Sequence, residues 1–112
     1  MTSSEPDRQA VPVIVTATFR PRPGARAEVI GALRTAAERV HAEPGCELYA
    51  LHEAPDRLTL IEKWTTVGHL DDHGRAPAVQ ALHEALDGNL LEPADVVRLS
   101  PLPAGDPGAG AL

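Results

Sequence analysis

"ELYALHEAPDRLTLIEKW", Glu47–Trp64, is the stretch whose reading decides the fold. Its first part, ELYALHE (47–53), and its last, LTLIEKW (58–64), alternate well enough to be strands with one buried face. Between them, APDR carries Pro-Asp turn chemistry. Two strands this close in sequence pair as an antiparallel hairpin. Upstream, VIVTATF (Val13–Phe19) is apolar and β-branched and reads as another strand, ended by RPRPG, where proline removes backbone donors. A helix is expected from about Gly24 to Ala42, because Val29, Ile30, Leu33, Ala36, Ala37 and Val40 recur at helical spacing. EPGC, residues 43–46, stops it. Downstream, Thr65 or Thr66 caps a short helix from about Val67 to Gly74. A further helix runs from about Ala76 to Leu86, with Val79, Leu82 and Leu86 on one face, and DVVRL (95–99) is a fourth strand. The order is β-α-β-β-α-β with the second α split in two. That is the ferredoxin-like α+β pattern, one antiparallel sheet with helices on one face.

Helices on one face leave the other face to be explained. Val13, Val15, Ala17 and Phe19 share one side of the first strand, with Ile14 opposite; Leu58, Leu60 and Trp64 share one side of the third, with Ile61 opposite. A monomer rarely leaves such an apolar face in water. A homodimer joined sheet to sheet is therefore expected, forming a dimeric α+β barrel.

The 112 residues fit one domain over 12–99, flanked by a polar segment, 1–11, and a Pro/Gly-rich tail, 100–112, both expected to be unstructured. The formal net charge is −6 and Lys63 is the only lysine, so the basic footprint of nucleic-acid binding is missing. No apolar run approaches the roughly 20 residues of a membrane span. The beginning of the sequence has neither a basic start nor an apolar run after it, so no secretory signal is expected and a cytoplasmic protein is. The single cysteine, Cys46, cannot close an internal disulfide.

The pieces Pro44-Gly45-Cys46, Tyr49, Glu62, Trp64 and His73, in this order over residues 12–99, resemble the antibiotic biosynthesis monooxygenase family, which is similar to quinol monooxygenases and to the wider dimeric α+β-barrel group. The resemblance implies a cavity between sheet and helices in each subunit and a dimer through the other sheet faces. It implies Trp64 as a cavity residue, as in related cofactor-free oxygenases of aromatic polyketides; those enzymes carry Asn where this chain has Leu60. The haem-degrading branch fits less well. VIVTATF has no Asn, His73 stands where a second Trp is used, and Leu82 falls at the ligand position with His83 beside it.

Strand alternation sets Leu60, Glu62 and Trp64 on one face. A carboxylate on an apolar face is costly to bury unless paired, and burial raises its pKa, so Glu62 is either a base or a structural partner. His73 follows Leu70 by three residues and shares its helix face. An imidazole there suits proton abstraction from a phenol or hydroquinone. His73 is thus the expected catalytic base, with Glu62 as alternative base or orienting partner and Trp64 confining the ring. Leu60, Leu70, His52 and Trp64 are the expected substrate contacts, although His52 also suits the sheet rim. His69 and His73 have i, i+4 spacing, but no third ligand stands out and no metal is expected. Tyr49 is expected to be packed, and His41 and His83 to lie on helix surfaces. No G-x-G-x-x-G or Walker pattern indicates a nucleotide cofactor. The function these features imply is cofactor-independent oxidation by O2 of a small aromatic hydroquinone, anthrone or phenol. A non-catalytic small-molecule binding module and an isomerase on the same fold are the alternatives.

Overall fold

A computed structural model of the chain describes residues 11–112. The expected N-terminal segment, residues 1–11, lies outside them except for Val11. Seven elements follow in order: β1 Val13–Phe19, α1 Arg26–Val40, β2 Cys46–Ala54, β3 Arg57–Trp64, α2 Val67–Gly74, α3 Pro77–Leu86 and β4 Asp95–Leu99. The strands form one antiparallel sheet in the order β2-β3-β1-β4. This is the expected ferredoxin-like arrangement. β3 and β1 are the interior strands, and they carry most of the buried residues of the sheet, because an interior strand is covered along both edges.

The hairpin register pairs Glu53 with Leu58 and Tyr49 with Glu62, then slips by one residue between Cys46 and Leu48. Such a bulge re-aims a side chain at a strand end, and here it sets Cys46 opposite Trp64. The inward face of β3 is buried at Leu58, Leu60, Glu62 and Trp64. Against it and β1 lie the buried residues of α1 (Val29, Leu33, Ala36, Val40), α2 (Leu70, His73) and α3 (Ala78, Leu82, Leu86). α1 begins and ends inside its expected limits: Gly24 takes a positive φ of 84° that closes the preceding turn, and the backbone leaves the helix after Val40. Thr66 is the α2 cap, its hydroxyl accepting from the His69 N–H at 3.1 Å.

After α3 the chain turns at Gly88 and runs back along the end of β1, where Leu91 N–H donates to the Arg20 carbonyl at 2.8 Å and Arg22 N–H to that of Asn89 at 2.8 Å. This return segment closes the far end of the space beneath the helices. The C-terminal tail has no helix or strand, but it holds a defined turn: Asp106 accepts from the backbone N–H groups of Gly108 and Ala109 at 2.9 and 2.8 Å. The expectation of an unstructured tail is corrected to that extent. Asp106 in GDPG is an Asx-type turn former. Among the described residues no helix is long and apolar enough to cross a membrane.

Candidate active site

The register assembles one inward-facing row across all four strands: Tyr49 opposite Glu62, Glu62 opposite Val15, Val15 opposite Arg98. The next row is Leu51, Leu60, Ala17 and Val96. The helices pack on β2 and β3, whereas the five residues of β4 are all exposed. The uncovered side opens into a cleft of about 810 Å³, within the usual range for small-molecule sites. Its body is apolar, lined by Ala17, Leu60, Leu70, Leu82, Leu86 and Val96.

A cluster of polar groups, Tyr49, Glu62 and His73, lies at its inner end. His73 reaches down from the last turn of α2. Its Nδ1 lies 2.8 Å from Oε1 of Glu43, and its Nε2 lies 4.0 Å from Oε1 of Glu62. The same Glu62 oxygen accepts the Trp64 indole N–H at 2.9 Å. Trp64 packs under the His73 ring, centroids 4.5 Å apart and planes tilted by 32°, and Tyr49 meets His73 edge-on at 5.6 Å. The imidazole is thereby fixed by packing on two sides and by a carboxylate behind it. Burial pushes the Glu62 carboxyl above its ordinary value, against the Trp64 hydrogen bond and the nearby imidazole, which pull it down. Burial likewise raises the Tyr49 phenol, helped by the charges of Glu62 and Glu43, so it stays protonated. The Cys46 thiol is also raised, by burial first and then by the same two carboxylates, so it is a poor nucleophile.

Of the residues singled out from sequence, Glu62, His73, Leu60 and Leu70 line the cleft together. Two do not stand as expected. Trp64 is fully buried at 0% exposure and lies behind Glu62 and His73, so it cannot touch a molecule in the cleft. Its bulk fills the core and its N–H holds Glu62. His52 is exposed and pairs across the hairpin with Thr59, on the opposite face from Leu60 and Glu62. It is not a cleft residue; strand alternation turns it away. His69 hydrogen-bonds the Thr66 hydroxyl at 2.9 Å and packs on Gly45, so the i, i+4 pair is divided between two tasks. No group of three or more His, Cys, Asp or Glu residues suited to a metal occurs among the described residues. His41 contacts the Tyr49 carbonyl at 3.0 Å, and His83 is exposed but stands at the cleft rim.

Glu43 and Arg98 were not singled out from sequence. Glu43 lies in EPGC, which reads locally as a helix stop, and its partner is 30 residues away. Arg98 shows its place only through the β1–β4 register. It pairs with Asp71 of α2 at 2.9 Å across the cleft mouth.

A sequence profile described as antibiotic biosynthesis monooxygenase matches residues 12–85. The chain is 33% identical over 91 residues to the Escherichia coli (strain K12) protein named "Probable quinol monooxygenase YgiN", covering 70% of this chain and 88% of that one. It is 34% identical over 93 residues to the Rv0793 protein of Mycobacterium tuberculosis, covering 81% and 92%. The solved structure of Rv0793 superposes with a TM-score of 0.79 over 85% of this chain and 99% of that one, at 32% identity. PA3566 of Pseudomonas aeruginosa, 22% identical, shares the fold with a TM-score of 0.77 over 86% and 99% of the two chains.

Proposed function

The chain belongs to the antibiotic biosynthesis monooxygenase family, and on that premise we propose that it is a cofactor-independent monooxygenase oxidising a small aromatic hydroquinone, anthrone or phenol with O2. Family membership and a relative named as a quinol monooxygenase support a monooxygenase-like role. The observation that carries the finer reading is the pair at the inner end of an apolar cleft, His73 Nε2 facing Glu62 Oε1 across 4.0 Å.

That gap is too long for a direct hydrogen bond, and it opens beside the space where a ring would lie. His73 Nε2 takes the proton from a phenolic hydroxyl. The resulting anion is electron-rich enough to reduce O2 itself, so the substrate supplies every electron. One oxygen atom bonds to a ring carbon, which gives up its hydrogen; the other leaves as water with two of the substrate's hydrogens. The protein contributes the base, orientation and an apolar surround that strengthens the electrostatics at the reacting oxygen. Glu62, held by the Trp64 N–H, faces the imidazolium that proton transfer creates. Leu60 and Leu70 confine the ring; Trp64 acts from behind.

Oxygen uptake by purified, metal-free protein with a panel of hydroquinones, anthrones and phenols tests this. Uptake above the uncatalysed rate, lowered about 10²- to 10⁴-fold in His73→Ala, is expected from loss of a general base. Uptake no faster than the uncatalysed reaction for every compound overturns the reading. Consumption of a compound without oxygen uptake assigns the cleft to proton transfer instead, as in an isomerase.

The sheet face away from the cleft carries Ile14, Ile61, Val97 and Leu99, with Val97 42% and Leu99 43% exposed. We propose that a second copy of the chain covers it, giving a homodimer. Sedimentation at micromolar concentration reads this directly, and a stable monomer rules it out.

A further inference from the structure

We propose that Glu43 is the positioning residue of this site: it holds His73 in the tautomer whose Nε2 is free to accept a proton and stabilises the imidazolium that forms. The role rests on the reading of His73 as the base.

Three observations converge on it. The first is contact. Glu43 Oε1 lies 2.8 Å from His73 Nδ1, the length of a charge-assisted hydrogen bond. An ionised carboxylate only accepts, so Nδ1 must carry the hydrogen. In the neutral ring the lone pair then sits on Nε2, the nitrogen turned toward Glu62 and the cleft. The second is placement. The turn after α1 delivers Glu43, with its N–H donating to Val40 at 2.9 Å and its carbonyl accepting from Cys46 at 3.3 Å. The carboxylate therefore starts from a backbone fixed on both sides. The third is cost. Glu43 Oε2 is buried without a protein partner among the described residues. Leaving a buried charged oxygen unpaired is unfavourable. A neutral acceptor, such as a backbone carbonyl, would hold the ring equally well without that cost. A negative charge gains its advantage when the ring becomes positive, which is the step the cleft is proposed to perform.

The titratable and charged groups facing His73 are Glu43 from the α1–β2 turn, Glu62 from β3 and the Tyr49 phenol from β2; the Cys46 thiol lies close to both carboxylates. Glu62 meets the side of the ring that the substrate approaches, whereas Glu43 meets the side it never touches. In the transfer, the phenolic proton moves to Nε2, the Nδ1 hydrogen stays against Glu43, and the substrate keeps the electron pair as its anion.

The test uses the full chain with ¹⁵N-labelled histidine, in wild type, Glu43→Gln and Glu43→Asp. The ring ¹⁵N shifts report the tautomer directly, and the rest of the spectrum reports folding. Wild type is expected to show His73 with hydrogen on Nδ1. The amide of Glu43→Gln can present its NH2 to the ring, so a population with hydrogen on Nε2 is expected, and Glu43→Asp is expected to restore the wild-type tautomer in part. In oxygen uptake, Glu43→Gln is expected to lower kcat about 10- to 100-fold with KM little changed, as for loss of a group orienting a reactive imidazole. A wild-type ring with hydrogen on Nε2, or His73 shifts identical in wild type and Glu43→Gln, overturns the proposal. If no compound supports oxygen uptake, the oxidation reading falls while the tautomer measurement still decides the role of Glu43.

Discussion

The two ends of the cleft each hold a carboxylate paired with a nitrogen-bearing side chain, and they differ in nearly everything else. At the inner end, His73 and Glu43 are 9% and 16% exposed in their side chains; at the mouth, Arg98 and Asp71 are 53% and 45% exposed. The distances are almost equal, 2.8 and 2.9 Å. Distance therefore does not tell the pairs apart. Water around Arg98 and Asp71 already satisfies both charges, so their contact is worth little. Around His73 the solvent has been replaced by Trp64, Tyr49 and two carboxylates, so each polar group depends on its protein partner. The inner end is where substitutions should be felt.

The largest effect is expected at Trp64, which packs beneath His73 and donates to Glu62. Trp64→Ala should cost about 3–5 kcal/mol in denaturant unfolding, from lost burial, the cavity left behind and an unpaired carboxylate oxygen. A cost below about 1 kcal/mol would mean that the inner end collapses as easily as the mouth and would break the contrast.

Gly45 comes next. Its φ is +80°, and a Cβ there would come within 2.3 Å of the His69 ring. Gly45→Ala should destabilise by about 1–3 kcal/mol, from left-handed strain plus this collision. Part of that loss should return in Gly45→Ala/His69→Ala. Strict additivity of the two changes would deny the contact.

Glu62 brings a dependence on pH. Burial raises its carboxyl in the folded chain, so the fold binds its proton more tightly than the unfolded chain does. Its stabilising contribution is complete below the ordinary value of 4.5 and is lost as pH rises through the folded value. Glu62→Gln keeps an oxygen for the Trp64 N–H and removes the charge. Its melting temperature relative to wild type should therefore climb as pH increases above that ordinary value. A constant offset across the range would place the carboxylate in solvent.

The smallest effect belongs to the mouth. Arg98→Ala and Asp71→Asn should each change stability by no more than about 1 kcal/mol, and the change should shrink in high salt. A loss matching that at Trp64 would show the mouth to be as tightly organised as the inner end.

Much of this was legible in the chain. The hairpin, the split second helix and a threonine cap at 65 or 66 follow from alternation, turn residues and capping chemistry, all of which act over a few residues. Leu60 and Glu62 on one strand face, and Leu70 and His73 on one helix face, follow from the same periodicities. Even the outward turn of His52 was available: pairing Glu53 with Leu58 around the APDR turn sets His52 opposite Thr59. Glu43 was not available. No local period links a helix-terminating turn to a histidine 30 residues later. Nor does a tryptophan at a strand end reveal whether it faces the cleft or lies behind two polar groups, because that depends on how deeply α2 settles onto β3.

The sequence by itself determined which residues form strands and helices and which face each residue takes, because φ/ψ preference, capping and side-chain period are local properties. Only the tertiary structure decided that Glu43 and Glu62 flank one imidazole, that Trp64 stands behind them, and that Arg98 guards the mouth. Those are meetings between distant segments, set by strand order and by the packing of helices on one sheet face, and burial then makes one carboxylate pair matter and leaves the other a surface contact.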